Sequence, residues 1–568
     1  MNGSRILGSL IAVSLAVAAL VASPASGVWQ ENGYPVCTAA NCQGNARLAS
    51  DGLGGAFICW DDKRGGLTED LYAQHLTPAG ETSWQSEGVL FCAAANSQYW
   101  PRITRDGSGG IIVVWQDFRN GGHTNLYARR IDASGTPLWA ANGVAICTSA
   151  DEQQYTRIIS DGAGGAIISW QDNRTGLDND IYAQRINASG SVRWTANGAQ
   201  ICQVSYSEQE KPGMVPDGLG GAIIIWQDMR GGTYDIYAQR VDASGAVLWA
   251  VNGVPVCTAE NDQMNVRAVP DGAGGAIVAW EDWRSGAADL YVQHLNILGV
   301  TGWAADGVRA STSASTKAWA DLASDGIGGA VLVWQDLLEG GDHNIAAQRV
   351  NAGGVPQWGG NGVTVCAHSG YQHSPCVISD ETGGAIIAWE DRRTEFAGDI
   401  YAQRVGAAGN VHWTPDGIAV CVLPGSQTSM ELVSDGLGGG IIAWTDACNY
   451  MNSDVYSQRI DGNGNVVGVG GGEPRPPVSM LEQNFPNPFN PTTVIRFAVA
   501  EPGRVKLVVY DVTGRPVRLL LNDTREAGRH ETSWDGNDDN GLAAASGVYL
   551  YSLETPGYSD NRKMVLLR

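Results

Sequence analysis

The turn Asp-Gly-x-Gly-Gly begins at Asp51, Asp106, Asp161, Asp217, Asp271 and Asp325, takes a degenerate form at Asp380, and returns at Asp435. Successive copies lie 54 to 56 residues apart, so eight copies of one unit fill most of the 568-residue chain. Such a unit cannot bury its apolar surface alone, and the fold must come from stacking copies against one another.

Each copy has four parts. A short strand leads into the Asp-Gly-x-Gly-Gly turn, whose glycines permit the positive φ angles of a tight hairpin. The second strand, as in Ala222-Ile-Ile-Ile-Trp226, is an apolar run suited to burial on both faces. An Asp-x-Arg loop follows (Asp228-Met-Arg230), then a third strand, Asp235-Ile-Tyr-Ala-Gln-Arg240, and a second turn, Asp242-Ala-Ser-Gly245. The fourth segment reads Trp249-Ala-Val-Asn-Gly-Val-Pro-Val-Cys257. Four short strands without helical periodicity predict an all-β fold in which each copy is one blade of a β-propeller.

Tryptophan fixes the alignment. Trp60, Trp115, Trp170, Trp226, Trp280, Trp334, Trp389 and Trp444 fall on the second strand, and Trp29, Trp84, Trp139, Trp194, Trp249, Trp303, Trp358 and Trp413 open the fourth segment. Burying one such ring is worth about 4–6 kcal/mol gross, most of which chain entropy offsets. They read as core between blades rather than as a sugar-stacking platform.

The eighth copy stops after Gln458-Arg459-Ile460, while the missing segment, Trp29-Gln-Glu-Asn-Gly-Tyr-Pro-Val-Cys37, stands before the first turn. An N-terminal strand that completes the last blade predicts a closed eight-bladed ring with no unpaired edge. The segments joining one blade to the next vary most, from Gln203-Val-Ser-Tyr-Ser-Glu208 to Ala367-His-Ser-Gly-Tyr371. Variable loops on a rigid scaffold carry function, so a binding site is expected on the joining-loop face.

A net charge of −23 argues against nucleic acid as a partner. Arg5, the apolar stretch Ile6–Ala22 and the small residues that follow read as a secretory signal peptide over 1–27. No other stretch is apolar enough to cross a bilayer as a helix. Of eleven cysteines, Cys37, Cys92, Cys147, Cys202, Cys257, Cys366 and Cys421 share one repeat position, with Ala310 in the eighth. Copies a sheet spacing apart are too distant for a disulfide, so these seven read as buried thiols. Cys37–Cys42 and Cys366–Cys376 stay open as short-range pairs.

Several residues are candidates for chemistry. An aspartate follows the second-strand tryptophan by two residues (Asp62, Asp117, Asp172, Asp228, Asp282, Asp336, Asp391, Asp446), and six copies add an arginine two further on: Arg64, Arg119, Arg174, Arg230, Arg284 and Arg393. Local ion pairs that tie down each loop are the favoured reading. The alternative is a ring of carboxylates for cations, with calcium the candidate ion. Gln43, Gln98, Gln153, Gln209, Gln263, Gln372 and Gln427 precede the turn aspartate by eight residues, with Lys317 in the remaining copy. Structural hydrogen bonding is favoured for them, and lining of a channel mouth for a ligand is the sharper alternative. The sixth copy departs furthest, with Lys317, Leu338 for Arg, Ala346 for Tyr, and added Trp319 and His343, which marks an asymmetric candidate ligand site. The histidines show no metal-ligand spacing, and no cofactor motif or catalytic triad stands out. Glu208, Glu210 and Glu260 lie in joining loops without an evident carboxylate partner.

After Gly468-Val-Gly-Gly-Gly-Glu-Pro-Arg-Pro-Pro477 the repeat ends. Leu481-Glu-Gln-Asn-Phe-Pro-Asn-Pro-Phe-Asn-Pro-Thr-Thr493, Val509-Tyr-Asp-Val-Thr-Gly-Arg515, Trp534-Asp-Gly-Asn-Asp-Asp-Asn-Gly541 and Ser546-Gly-Val-Tyr-Leu-Tyr551 alternate strands with Gly/Asn/Asp turns, which predicts a small β-sandwich. As a set these motifs resemble type IX secretion sorting domains of the A type, and are similar to immunoglobulin-like domains related to that of the flagellar hook-capping protein. The resemblance implies export across a bacterial outer membrane, contact with the secretion machinery, and attachment at the surface. Asp535–Gly541 imitates a calcium loop but has Asn540 at the glycine position, and reads as a hairpin turn.

The expected organisation is a signal peptide (1–27), a propeller (28–467), a linker (468–478) and a sandwich (479–568). The favoured expectation for function is a secreted or surface-anchored binding protein with a glycan or protein ligand; the alternative is a secreted polysaccharide hydrolase or lyase.

Overall fold

The computed structural model describes residues 29–338, 341–393, 397–449, 452–467, 479–481, 484, 487–499, 502–525 and 528–568. The expected signal peptide and linker lie outside them. Every regular element described is a β-strand.

Residues 34–460 form eight four-stranded antiparallel sheets of propeller-like kind, one per repeat. In the second sheet Gln98–Arg105, Ile111–Asp117, Asn125–Ile131 and Val144–Cys147 bond in chain order. The last sheet takes its fourth strand from the N-terminal side: Tyr34–Cys37 pairs with Asn452–Ile460, Tyr34 opposite Ser457. First strands of successive sheets lie side by side, and Ser426–Ser434 of the eighth lies beside Gln43–Ser50 of the first. These first strands, which contact one another from sheet to sheet, are termed the inner strands.

Second strands such as Ile111–Asp117, Ala166–Asp172 and Ala222–Asp228 are buried along their whole length, as the apolar runs predict. Their two faces feed two apolar clusters, each shared with a neighbouring sheet. Cys59, Leu71 and Ala73 of the first sheet pack on Ile111, Trp115 and Ile131 of the second. Trp29, Val36, Ile441 and Val455 of the eighth pack on Ile58, Trp60 and Leu76 of the first.

The tryptophans dictate the local chemistry. Trp115 is fully buried, so its indole N–H needs an acceptor. Asp117 Oδ2 accepts it at 2.7 Å and also accepts Arg119 Nη2 at 2.6 Å. Asp117 Oδ1 accepts the Arg119 Nε and backbone N–H, both at 2.8 Å. The guanidinium lies over the Tyr127 ring, 3.6 Å from its centroid, and donates to Asn142 O at 2.7 Å. It also reaches Cys92 Sγ of the preceding sheet at 3.7 Å. The same ion pair and cation–π contact recur at Arg64, Arg174, Arg230, Arg284 and Arg393. Glycine is required beside this stack, because a Cβ on Gly143 (φ +89°) would stand 2.4 Å from the Trp115 ring.

At six of the eight aspartates this geometry bears out the local ion pair rather than the cation alternative. Asp62, Asp117, Asp172, Asp228, Asp282 and Asp391 are fully buried and engage arginine and indole with both oxygens. No cluster of His, Cys, Asp and Glu among the described residues could hold a metal ion. The seven repeat cysteines are buried, and no disulfide joins the described cysteines, including Cys37–Cys42 and Cys366–Cys376. Burial pushes the Cys92 thiol up to about 12, so it accepts the guanidinium N–H as a neutral thiol.

The sixth sheet explains its own departures. Leu338 replaces the arginine, Ala346 the tyrosine beneath it, and Ala310 of the preceding sheet the cysteine the arginine would reach. Three substitutions scattered in sequence thus remove one stack, and Ala310, Trp334 and Ala346 share one apolar cluster. Trp334 Nε1 has no acceptor among the described residues. The arginine is what turns the carboxylate toward the indole.

The C-terminal domain is a sandwich of a three-stranded sheet (Met480–Leu481, Thr493–Val499, Gly528–Trp534) and a four-stranded one (Pro516–Arg525, Gly503–Asp511, Gly547–Thr555, Tyr558–Leu566). Ile495, Phe497, Leu507, Trp534, Tyr551 and Leu566 lie in its core. Segment 535–541 is a turn in which Trp534 Nε1 donates to Asn537 O at 2.9 Å.

Asp117→Asn is expected to lower stability by about 2–3 kcal/mol, because it leaves a half-buried guanidinium without its carboxylate. Asp336→Asn, where that guanidinium is missing, should cost about 1 kcal/mol. Denaturant midpoints of the two variants measure this; equal losses would contradict the assigned role of the stack.

Candidate binding site

Every inner strand carries a β-bulge at the same place. In the second sheet Gln98 pairs with Asp117 and Tyr99 with Gln116, after which the register slips so that Arg102 pairs with Val114. The first bulge residue has a positive φ in all eight sheets: Asn45 50°, Trp100 49°, Tyr155 51°, Lys211 49°, Asn265 55°, Trp319 54°, Ser374 51° and Ser429 55°. A left-handed conformation costs a residue with a Cβ about 1–2 kcal/mol, and glycine would avoid it. None of the eight is glycine.

At four of the eight bulges the preceding sheet supplies an acceptor for the bulge N–H. The Lys211 N–H donates to Gln171 Oε1 at 3.2 Å, Asn265 to Gln227 at 3.3 Å, Trp319 to Glu281 at 3.1 Å and Ser429 to Glu390 at 3.0 Å. These acceptors stand between the tryptophan and the aspartate of each second strand, on backbone that the stack described above holds still. The side chains so presented differ from sheet to sheet. Trp100 and Tyr155 are each 43% exposed and Trp319 is 65% exposed. Large aromatics held in a strained conformation and left facing water are a functional signature.

Two residues further along the inner strands stand Arg47, Arg102, Arg157, Gly213, Arg267, Asp321, Cys376 and Glu431. One side of the set is basic and the other acidic. Arg47 pairs with Glu431 at 3.1 Å and Arg267 faces Asp321 at 3.9 Å. A cavity of about 320 Å³ lies against Arg102, Trp100, Tyr155 and Gln154. A second, of about 560 Å³, lies against Trp319, Asp321, Glu390 and Glu431. Burial raises the Glu390 carboxyl to about 7, and burial lowers His373, 3.5 Å away, to about 4. Burial thus favours the neutral form of each group over an ion pair.

The glutamine ring is placed otherwise than a channel lining. Gln43, Gln98, Gln153, Gln209, Gln263, Gln372 and Gln427 are fully buried. Gln98 Nε2 donates to Asn96 O at 2.9 Å and Gln263 Nε2 to Asn261 O at 2.8 Å, and Gln43, Gln153, Gln209 and Gln427 hold their own joining loops in the same way. Gln372 makes no side-chain hydrogen bond among the described residues. Lys317 is also fully buried; its Nζ donates to Ser313 O and Ser315 O at 2.9 Å and pairs with Asp289 at 3.1 Å. Burial removes all eight from contact with a ligand. His343 accepts from Gln335 and packs edge-on against Tyr371, 4.7 Å between ring centroids. Glu208 accepts from Asn179, and Glu210 from Tyr234 and Gln227. Of the sequence candidates, Trp319 alone stands on the bulge ring. The other bulge residues and Arg102 and Arg157 were missed; the available signal was that the second and fourth positions after the glutamine vary inside an otherwise uniform repeat.

Residues 491–557 match the family model of the FlgD Ig-like domain, and the C-terminal sandwich is immunoglobulin-like. No curated protein matches the chain. Among solved structures, the chain is similar to the polysaccharide lyase Uly1 (10% identity, TM-score 0.39, 76% of this chain and 92% of that one). It is similar to an endo-arabinase from Bacteroides thetaiotaomicron VPI-5482 (16%, TM-score 0.28, 47% of this chain and 98% of that one). It is also similar to PorZ, a surface component of the type IX secretion system of Porphyromonas gingivalis (12%, TM-score 0.26, 95% of this chain and 82% of that one).

Trp319→Gly is expected to change stability by no more than about 1 kcal/mol, since relief of the left-handed strain offsets the lost packing and added chain entropy. Trp334→Ala should cost about 3–5 kcal/mol. Chemical denaturation distinguishes them; a loss at Trp319 as large as at Trp334 would mean that the ring is there for packing.

Proposed function

We propose that the chain is an exported bacterial surface protein whose repeat domain recognises a glycan or protein ligand at the ring of inner-strand bulges. The observation that carries this reading is the constancy of the strained bulge against the variety of its exposed occupants, Trp100, Tyr155 and Trp319 above all. Selection for stability alone would put glycine at those positions.

The eight sheets are the blades of one closed propeller in this reading. Three contacts between the eighth sheet and the first support closure: Arg47 with Glu431, Leu48 N–H with Glu431 Oε2 at 2.9 Å, and Trp29 Nε1 with Pro78 O at 3.1 Å. The Trp29 bond repeats a contact made by Trp84 to Ala133 and Trp139 to Ala188 between successive sheets. The leader at 1–27 directs export, and the C-terminal domain engages the secretion machinery and retains the protein at the outer surface.

A second reading is a secreted polysaccharide hydrolase or lyase. It is favoured by the larger cavity, which brings Asp321, Glu390 and Glu431 together and where burial raises the Glu390 carboxyl to about 7. Glu390 would be the general acid there.

The test is a glycan and polysaccharide array probed with the full chain, with and without calcium. Selective binding that Trp100→Ala and Tyr155→Ala each weaken about tenfold or more is expected, without cleavage of the bound glycan. Cleavage lost in Glu390→Gln would establish the second reading instead. Silence across the array would remove the glycan as ligand and leave the protein partner.

A further inference from the structure

The basic side of the inner ring is unfinished in a specific way. Four inner-strand arginines occupy one repeat position, and each anchors an Nη1 on the carbonyl just before it: Arg47 on Ala46 at 2.9 Å, Arg102 on Pro101 at 3.3 Å, Arg157 on Thr156 at 3.2 Å and Arg267 on Val266 at 3.2 Å. That anchor leaves most of each fork's donors available. Arg47 and Arg267 direct theirs at Glu431 and Asp321. Arg102 and Arg157, on adjacent sheets, have no carboxylate within ion-pair distance among the described residues.

In a chain of net charge −23 two neighbouring, half-buried arginines without a carboxylate are conspicuous. Holding them together is unfavourable: burial, with Arg47 and the other's positive charge adding to it, lowers Arg102 to about 9, and burial with nearby arginines lowers Arg157 to about 10. An anion bound at Arg102 would offset that cost. The cavity of about 320 Å³ is lined by Arg102 and Arg47 and by Trp100 and Tyr155; Arg157, two residues along the strand from Tyr155, adjoins the lining residue Thr156 in sequence and is not itself in the lining. The cavity is of a size for one or two sugar rings. Guanidinium forks match the planar carboxylate, and flat aromatic faces match the C–H face of a pyranose.

Building on the recognition function proposed above, we infer that Arg102, with Trp100 and Tyr155 and with the positive charge of Arg157 behind it, forms a subsite for a carboxylated sugar, so that the ligand is an acidic, uronate-containing polysaccharide. Arg102 takes the carboxylate, the aromatics the ring. An acidic peptide offers the carboxylate but no pyranose face for the two exposed aromatics.

The experiment measures binding of the full chain to polygalacturonate, alginate and hyaluronate, each beside its carboxyl-reduced, neutral form, with poly-L-glutamate as the peptide arm. At least one uronate polymer should bind, and carboxyl reduction should weaken it about tenfold or more, as loss of a charge-assisted pair requires. Arg102→Met and Arg157→Met should each weaken it similarly while leaving the melting temperature equal or higher, because like-charge repulsion is relieved. Equal affinity for the carboxyl-reduced polymer, or arginine variants that bind as wild type does, would overturn the subsite while leaving the recognition function standing. Preference for poly-L-glutamate would overturn the sugar assignment in favour of a protein partner. No binding to any of these polymers would overturn the uronate assignment, with the broader array then deciding the recognition function separately.

Discussion

The buried indole N–H of each second strand is the demand around which the repeat domain is arranged. In six of the eight sheets a carboxylate meets it, and a guanidinium keeps that carboxylate from being stranded in an apolar core. The guanidinium then lies on a tyrosine, binds the loop before the fourth strand, and touches the thiol of the previous sheet. One polar group thereby fastens second strand, loop, fourth strand and neighbour. The sixth sheet shows the dependence from the other side: without its arginine, Trp334 keeps its buried ring but loses its acceptor.

That rigidity is what lets the inner strands hold an unfavourable backbone. A left-handed residue persists only where its surroundings over-determine it. At Lys211, Asn265, Trp319 and Ser429 the preceding sheet contributes to this through a side chain set between the tryptophan and the aspartate of its second strand. Strain is thus spread over eight equivalent points, and the residue at each point is free to differ. The charges two residues on differ too, basic on one side and acidic on the other, which gives a symmetric scaffold an asymmetric surface.

Much of the architecture was legible because repetition multiplies weak signals. A single Asp-Gly-x-Gly-Gly is an ordinary turn; eight at one spacing identify a unit and its four strands. The swapped ends foretold the pairing of Tyr34–Cys37 with Asn452–Ile460. The Asp–Arg pairs were also readable, since two complementary charges two residues apart on a loop have few other partners. The site was less legible. The glutamines drew attention by their uniformity, and uniformity in a repeat marks scaffold: they fold inward onto their own loops. Trp100 and Tyr155 attracted none, because a β-bulge with positive φ leaves no composition signal when the residue is not glycine. Nor can a sequence show that Ala310, Leu338 and Ala346, from two sheets, vacate a single stack.

Amide hydrogen exchange of the full chain, alone and with its strongest-binding array ligand, tests the central claim most directly. Bound ligand should raise protection at the inner-strand bulges, around residues 45–47, 100–102, 155–157 and 319–321, and leave the Asp-Gly-x-Gly-Gly turns and the C-terminal sandwich unchanged. Protection confined to those turns or to residues 479–568 would contradict the assignment of recognition to the bulge ring.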